Sequence, residues 1–319
     1  MKIAVFGGSG SIGRALLPEL VARGHSIRAM QHRTPVQLDD AEVVEGSIGD
    51  PDAVAATIGD ADVVLQLTKG GQGIEQAVET SVRGTINVLD AIRAKGGVDQ
   101  YLLTSSDAAT GICSHPYTAP IDHETPPISY GDYYSLGKML EERIVLDYDR
   151  NDGLRYTIAR LSWTQREDMV LRHFIAGDNR ANPTAGVFRS GYTDDQRQRL
   201  EAGEQFVAIP CDDDGRVLRR TLVQLEDTVA ALLAMVGAEP AAGERFHVSG
   251  PAFDYDRPAR YLADRLDLPA EPVYLDGWYP YEIDVSHTTD LLGWEPRYDV
   301  FAMIDAALAW RADHAAETG

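Results

Sequence analysis

The sequence predicts an α/β fold: a doubly wound parallel sheet followed by a smaller C-terminal α/β lobe. Three observations carry this reading. Short apolar runs alternate with helical patterns as far as Arg160, the glycine cluster GGSGSIG (7–13) joins the first run to the first helix, and after Arg160 the regular alternation stops. Strand, helix, strand, helix at this spacing requires right-handed crossovers, hence parallel strands with helices on both faces.

The elements follow in order. IAVF (3–6) reads as the first strand, and Ile12 to Arg23 as a helix ended by Gly24. Pro18 falls inside that helix, where it should kink it. SIRAM (26–30) and EVVEG (42–46) read as strands. Asp50-Pro51 looks like a cap and first-turn proline for AVAATI (53–58). DVVLQL (62–67), YLLTS (101–105) and YTIAR (156–160) supply further strands, separated by helices near 74–95 and 133–148. Residues 164–218 are rich in Arg, Asp and Gly and read as loops and short helices. RRTLVQL (219–225), a helix at EDTVAALLAMVG, the strand RFHV (245–248) and helices near 257–267 and 299–313 follow. A length of 319 residues allows one large core plus a satellite. The division expected is a first domain at 1–164, with 216–236 returning to it, and a lobe at 165–319 packed on the sheet's carboxyl edge.

Fifty acidic against 29 basic residues give a formal charge of −21, which repels nucleic acid and anionic membranes. Such a surface suits either salt adaptation or a biased base composition. The apolar runs are too short to span a bilayer, and Met1-Lys2 leads directly into a strand without a leader pattern. A cytoplasmic protein is expected, with Cys113 and Cys211 as reduced thiols. Asp212-Asp213-Asp214-Gly215 reads as a solvated turn. His115, His123 and Glu124 lack metal-ligand spacing, so no metal site is expected.

The glycine cluster satisfies Gly7-x-x-Gly10-x-x-Gly13 in the context the motif needs, after a strand and opening a helix. Glycines let the backbone approach a pyrophosphate, and the helix N-terminus offers free N–H groups and partial positive charge. This predicts a Rossmann dinucleotide site for NADP or NAD. An NAD site places an acid at the end of the second strand. Here that region reads Met30-Gln31-His32-Arg33, and Arg33 suits a 2′-phosphate, so the pattern favours NADP.

Tyr134-Ser-Leu-Gly-Lys138 puts a phenol and an ammonium four residues apart, on one helix face. A lysine cation favours the phenolate, which can then exchange a proton with a substrate hydroxyl while hydride moves. Chance would give roughly 0.2 such pairs in a chain of this composition, so the pair needs a third element. TSSDAATG (104–111) ends the fifth strand at the carboxyl edge, where ligands bind in such sheets. Ser106 is the serine expected to hold the substrate oxygen, with Ser105 the alternative. Asp107 is expected to contact substrate, and Trp163 either to stack on a ring or to pack in the core.

With GGSGSIG, ADVVLQL (61–67), SVRGTINVLDA (81–91), LLTSSDAATG (102–111), YSLGK (134–138), RTLVQLED (220–227) and LLGWEP (291–296) in this order and spacing, the chain resembles the extended short-chain dehydrogenase/reductase family, the NAD(P)-dependent epimerase/dehydratase group. The resemblance spans nearly the whole chain. It implies Ser106, Tyr134 and Lys138 as a catalytic triad, with Lys138 also binding the nicotinamide ribose. It implies Gly7, Gly10, Ser11, Ile12, Gly13, Arg33 and Leu67 as further cofactor contacts. Arg220 matches the arginine that touches the diphosphate in sugar-nucleotide members. The family commonly forms homodimers through a four-helix bundle, here the helices near 74–95 and 133–148. Departures are Ser81 for the usual Asn, Ser47 for an Asp after the third strand, Thr110 for a Tyr, and Arg160-Leu-Ser-Trp163-Thr-Gln in place of an Arg-x-x-Asn segment and its Tyr-Gly-Pro turn. The expected function is NAD(P)-dependent oxidation or reduction of a sugar, sugar acid or related hydroxy or carbonyl compound. The alternative is a sugar-nucleotide 4-epimerase that retains its cofactor, and the remote one a non-catalytic dinucleotide sensor.

Overall fold

The computed structural model describes residues 1–314 apart from 72, 130, 180, 181, 183 and 185. Its centre is a seven-stranded sheet. In chain order the strands are β1 (Lys2–Phe6), β2 (Ser26–Gln31), β3 (Glu42–Glu45), β4 (Val63–Gln66), β5 (Gln100–Ser106), β6 (Tyr156–Leu161) and β7 (Glu244–Val248). Their spatial order is β7-β6-β5-β4-β1-β2-β3, and every pairing is parallel. The chain runs outward from β1 to β3, then crosses back to β4 on the other side of β1. That reversal opens a crevice at the carboxyl ends of β1 and β4, the place where such sheets bind ligands.

Alternation along β1 shows why both faces must be covered. Ile3 and Val5 face one core with Leu16, Leu17 and Leu20 of α1 (Ser11–Ala22). Ala4 and Phe6 face the other, with Val54 and Ile58 of α2 (Pro51–Ile58), Val88 and Ile92 of α3 (Gly84–Lys95) and Val145 of α4 (Tyr133–Asp152). Asp50 caps α2 by accepting from the Asp52 N–H at 3.0 Å, with Pro51 in the first turn. α1 continues through Pro18, which lies exposed on the helix's outer side. The stretch before α3 is not one regular helix: a short turn at Ile74–Gln76 leads into a π-helical segment, Ala77–Arg83.

After Arg160 the chain both leaves the sheet and returns to it. β7 is the seventh strand, and α5 (Leu225–Met235) packs Val229, Leu232 and Met235 into the α1 side of the core. Between and beyond these, residues 175–176, 206–211 and 270–274 form a three-stranded sheet. It is covered by α6 (Asp256–Leu266) and α7 (Val300–Asp313) around Phe174, Phe206, Tyr255, Leu262 and Ile304. The strand at 206–211 lies inside the segment expected to be loops and short helices. FVAIPC is wholly buried, so its apolar run lacks the alternation that marks a half-exposed strand.

Buried on α4, the Glu142 carboxylate accepts from Arg160 Nη2 at 2.8 Å and Nε at 3.1 Å, and from Ser105 Oγ at 2.5 Å. Arg160→Met leaves that carboxylate uncompensated and is expected to cost about 3–5 kcal/mol in urea unfolding. Combining it with Glu142→Leu should recover most of the loss, because both desolvated charges then disappear together.

Candidate active site at the carboxyl edge of the sheet

The glycine loop is built for close approach. Gly7 has φ +89°, and a Cβ there would lie 2.8 Å from the Leu67 carbonyl carbon. A Cβ on Gly13 would lie 2.3 Å from the Gly8 oxygen. No side chain caps α1 at Gly10, so the first-turn N–H groups at Ser11, Ile12 and Gly13 point outward unclaimed by a cap. A pyrophosphate fits this cradle: it needs backbone donors, a positive dipole end and no Cβ in the way. Arg33 is exposed just beyond β2.

Ser106 ends β5, and its hydroxyl accepts from the Ala108 N–H and donates to Asp107 Oδ1, both at 3.1 Å. Tyr134 stands in the first turn of α4, which Asp132 caps by accepting from the Ser135 N–H. Burial pushes the Tyr134 phenol up, while the Lys138 charge and the Ser106 hydroxyl pull it down. Lys138, one turn along, donates from Nζ to the Thr68 oxygen at 2.9 Å, the Thr104 oxygen at 2.8 Å and Glu141 Oε2 at 2.9 Å. Ser106, Tyr134 and Lys138 therefore meet at one edge, beside the loop that follows β4. Ser105 points the other way, into the Glu142–Arg160 pair.

Asp107, Trp163 and Arg220 form the adjoining wall. The Arg220 guanidinium lies 3.8 Å from the Trp163 ring centroid and is 2% exposed. Its Nη1 donates to the Tyr255 hydroxyl at 3.4 Å, while Nε and Nη2 are buried without a partner. Those two nitrogens are the edge of the fork that grips an anion bidentately. Trp163 is partly buried and meets the His173 ring edge-on at 5.1 Å. Burial holds His173 neutral, down at about 3, with the Arg220 charge adding to the effect. Cys113 lies in the same wall, its thiol pushed up to about 11 by burial. His115 stacks edge-on against Tyr117, and His123 lies flat against His287 at 3.7 Å. Asp212 closes its own turn by accepting from the Asp214 and Arg216 N–H groups.

Sequence reasoning did not single out Glu141, His173 or Lys69, whose Nζ lies 5.4 Å from the Tyr134 ring centroid. Glu141 was within reach, being three residues from Lys138 on one helix. Lys69 comes from the loop after β4 and His173 from a 3-10 turn, Leu171–His173, neither with a local pattern.

Burial raises the Asp107 carboxyl to about 6, against the pull of Ser106 and Arg220. Because its folded value exceeds the unfolded one near 3.9, the folded state binds the proton more tightly, and stability falls as pH rises between about 4 and 6. Asp107→Asn is therefore expected to stabilise the protein by about 2–3 kcal/mol at pH 8 and to do little below pH 4. Thermal unfolding at the two pH values reads this directly. Gly7→Ala should weaken NAD(P) binding at least about tenfold by calorimetry, since each 1.4 kcal/mol of strain or clash is a factor of ten.

Comparison with known proteins gives the family and the fold. The model of the NAD dependent epimerase/dehydratase family matches residues 3–164. A UDP-glucose 4-epimerase of Lactobacillus helveticus is 32% identical over 346 residues, 98% of each chain. A 2-alkyl-3-oxoalkanoate reductase of Stenotrophomonas maltophilia is 33% identical over 175 residues, so the match spans about half (51%) of each chain. Among solved structures, an Agrobacterium tumefaciens short-chain dehydrogenase/reductase superfamily protein with bound NAD superposes with a TM-score of 0.84 at 24% identity, covering 99% of both chains. The chain belongs to the NAD dependent epimerase/dehydratase family and is an NAD(P)-dependent enzyme on a Rossmann fold.

Proposed function

We propose that the protein is an oxidoreductase of the extended short-chain dehydrogenase type, acting on a sugar, sugar acid or related hydroxy or carbonyl compound. One observation carries the reading: Tyr134, Ser106 and Lys138 converge at the carboxyl edge, with Lys138 anchored to the Thr68 and Thr104 carbonyls. Gly7, Gly10, Ser11, Ile12 and Gly13 hold the pyrophosphate, and Leu67 and Lys138 face the nicotinamide end. The bound nicotinamide supplies hydride chemistry. Ser106 orients the substrate oxygen, and Tyr134 gives or takes its proton. Asp107, Trp163 and Arg220 receive the rest of the substrate, with Ser105 set behind them as support for the sheet edge. The substrate side is then the rest of the 165–319 segment, and the cofactor side residues 1–164 with α5 and β7, the strand that the sequence alone places in the lobe.

A second reading, a sugar-nucleotide 4-epimerase that retains NAD, is favoured by the unpaired Nε and Nη2 of Arg220, which suit a diphosphate. The whole-length likeness to the Lactobacillus epimerase supports the same reading. For the cofactor we favour NADP, because no acid ends β2 and Arg33 stands exposed there. Exposed Ile74, Val78 and Tyr133 lie on the two helical stretches through which we propose a homodimer. Among the described residues no helix is long and apolar enough to cross a membrane.

Absorbance of the reduced nicotinamide, with NAD⁺ or NADP⁺ and a panel of sugars, uronic acids and sugar nucleotides, tests this. Net reduction with one panel member, and its loss by about 10²–10⁴-fold in Tyr134→Phe with the fold intact, is the expected result. A nucleotide sugar converted to its epimer without net reduction would replace it with the second reading. Arg33→Asp is expected to weaken NADP⁺ binding and leave NAD⁺ binding unharmed.

A further inference from the structure

Lys138 has three N–H protons, and all three are spent inside the protein. Two go to backbone oxygens, of Thr68 and Thr104, and the third to Glu141 Oε2 at 2.9 Å. The ammonium is 3% exposed and Glu141 is wholly buried. Helix geometry sets the pair, since positions three apart share a face. The opposite side of Glu141 is equally deliberate. Ser81, in the π-helical segment, is fully buried; burial raises the Glu141 carboxyl, and the Lys138 charge and the Ser81 hydroxyl pull it back toward the ionised form. A Cβ on Gly70 or Gly137 would lie 2.6 or 2.8 Å from Ser81 Oγ, so two glycines clear the space it occupies. Ser81 stands where the family often has Asn.

We infer that Glu141 is a positioning residue acting through Lys138: it takes the third ammonium proton and weakens that cation's pull on Tyr134. The phenol then rests protonated, and the site is set to give a proton to a carbonyl oxygen rather than to take one from an alcohol. In that direction Tyr134 would give its proton to the carbonyl oxygen, the hydride for the carbonyl carbon being what a reduced nicotinamide co-substrate would supply. The products are the alcohol and the oxidised nicotinamide, and the phenolate regains its proton from water. The inference rests on Tyr134 being the proton-transfer group.

The other charges around this centre act in both directions. Facing Tyr134 are Lys138, Asp107, Glu141 and, over the ring, Lys69. Burial is the largest influence and raises the phenol, Asp107 and Glu141 add to it, and Lys138 and the Ser106 hydroxyl oppose it. Facing Glu141 are Lys138, Glu142 and the Tyr101 phenol. Glu142 is committed to Arg160, and Tyr101 donates to Gln66 at 2.9 Å.

The test is a phenolate absorbance titration of the full-length protein without cofactor, comparing wild type, E141Q and Y134F, with circular dichroism checking the fold at each pH. The wild-type minus Y134F difference isolates Tyr134. Its midpoint is expected at or above the unperturbed phenol value of about 10, and E141Q should lower it by about one unit or more. An E141Q curve that superposes on wild type would overturn the inference. If E141Q does not fold, E141D, whose shorter side chain draws the carboxylate away from Lys138, takes its place: a lowered Tyr134 midpoint sustains the inference, an unmoved one overturns it, and a wild-type midpoint below about 10 refutes it outright. Undiminished turnover of Y134F in the nicotinamide assay would overturn the role of Tyr134 and this inference with it. An inactive Y134F with an unmoved E141Q curve overturns the inference alone.

Discussion

A buried ammonium ties the carboxyl edge of the sheet together. Lys138 reaches from α4 to the Thr68 carbonyl beyond β4 and the Thr104 carbonyl within β5, so one side chain joins a helix to two neighbouring strands. Taking a cation out of water is costly unless its donors are matched, and here backbone oxygens and the Glu141 carboxylate match all of them. The benefit is orientation. With Lys138 pinned, α4 is tied to the sheet edge, and Tyr134 one turn earlier stands beside Ser106 at the end of β5. The π-helical segment at Ala77–Arg83 serves the same centre by bringing Ser81 in behind Glu141.

Around that node the sheet edge is lined with ionisable groups whose environments differ sharply. Glu142 is fully satisfied by Arg160 and Ser105. Asp107, one residue past Ser106, keeps Oδ2 without a partner, and Arg220 keeps two of its nitrogens free. The satisfied pair supports the fold, because removing either charge strands the other. The incomplete groups cost stability in the folded chain, and a site that binds a polar substrate is where such a cost is tolerated. Stacking on Trp163 gives the Arg220 cation an aromatic face in place of water. The wall it belongs to comes from the C-terminal lobe and from the segment after β6, chain regions far apart in sequence.

How much of this was legible beforehand follows from the range of each interaction. Sheet strands with wholly apolar runs, the Asp50-Pro51 helix start and the GGSGSIG turn are local, and each reads from a few adjacent residues. Tyr134 and Lys138 are equally local, one helical turn apart. The strand at Phe206–Cys211 was not legible, because a buried six-residue run carries no period and sits among polar, irregular neighbours. Ser105 and Ser106 illustrate the finer limit. The sequence favours Ser106 with Ser105 as the alternative, and the structure gives the reason for the difference: successive residues of a strand face opposite sides, which sends one hydroxyl to Glu142 and the other to the cleft.

By itself, then, the sequence determined the parallel α/β sheet, the dinucleotide loop and the phenol–lysine pair, because period, glycine spacing and helical spacing are properties of neighbouring residues. Only the tertiary structure decided that the seventh strand comes from Glu244–Val248, that Glu141 takes the third proton of Lys138, and that Arg220 lies on Trp163 with two nitrogens free. Those depend on which distant segments share a sheet edge and on which buried donors go unmatched there, and no local pattern encodes either.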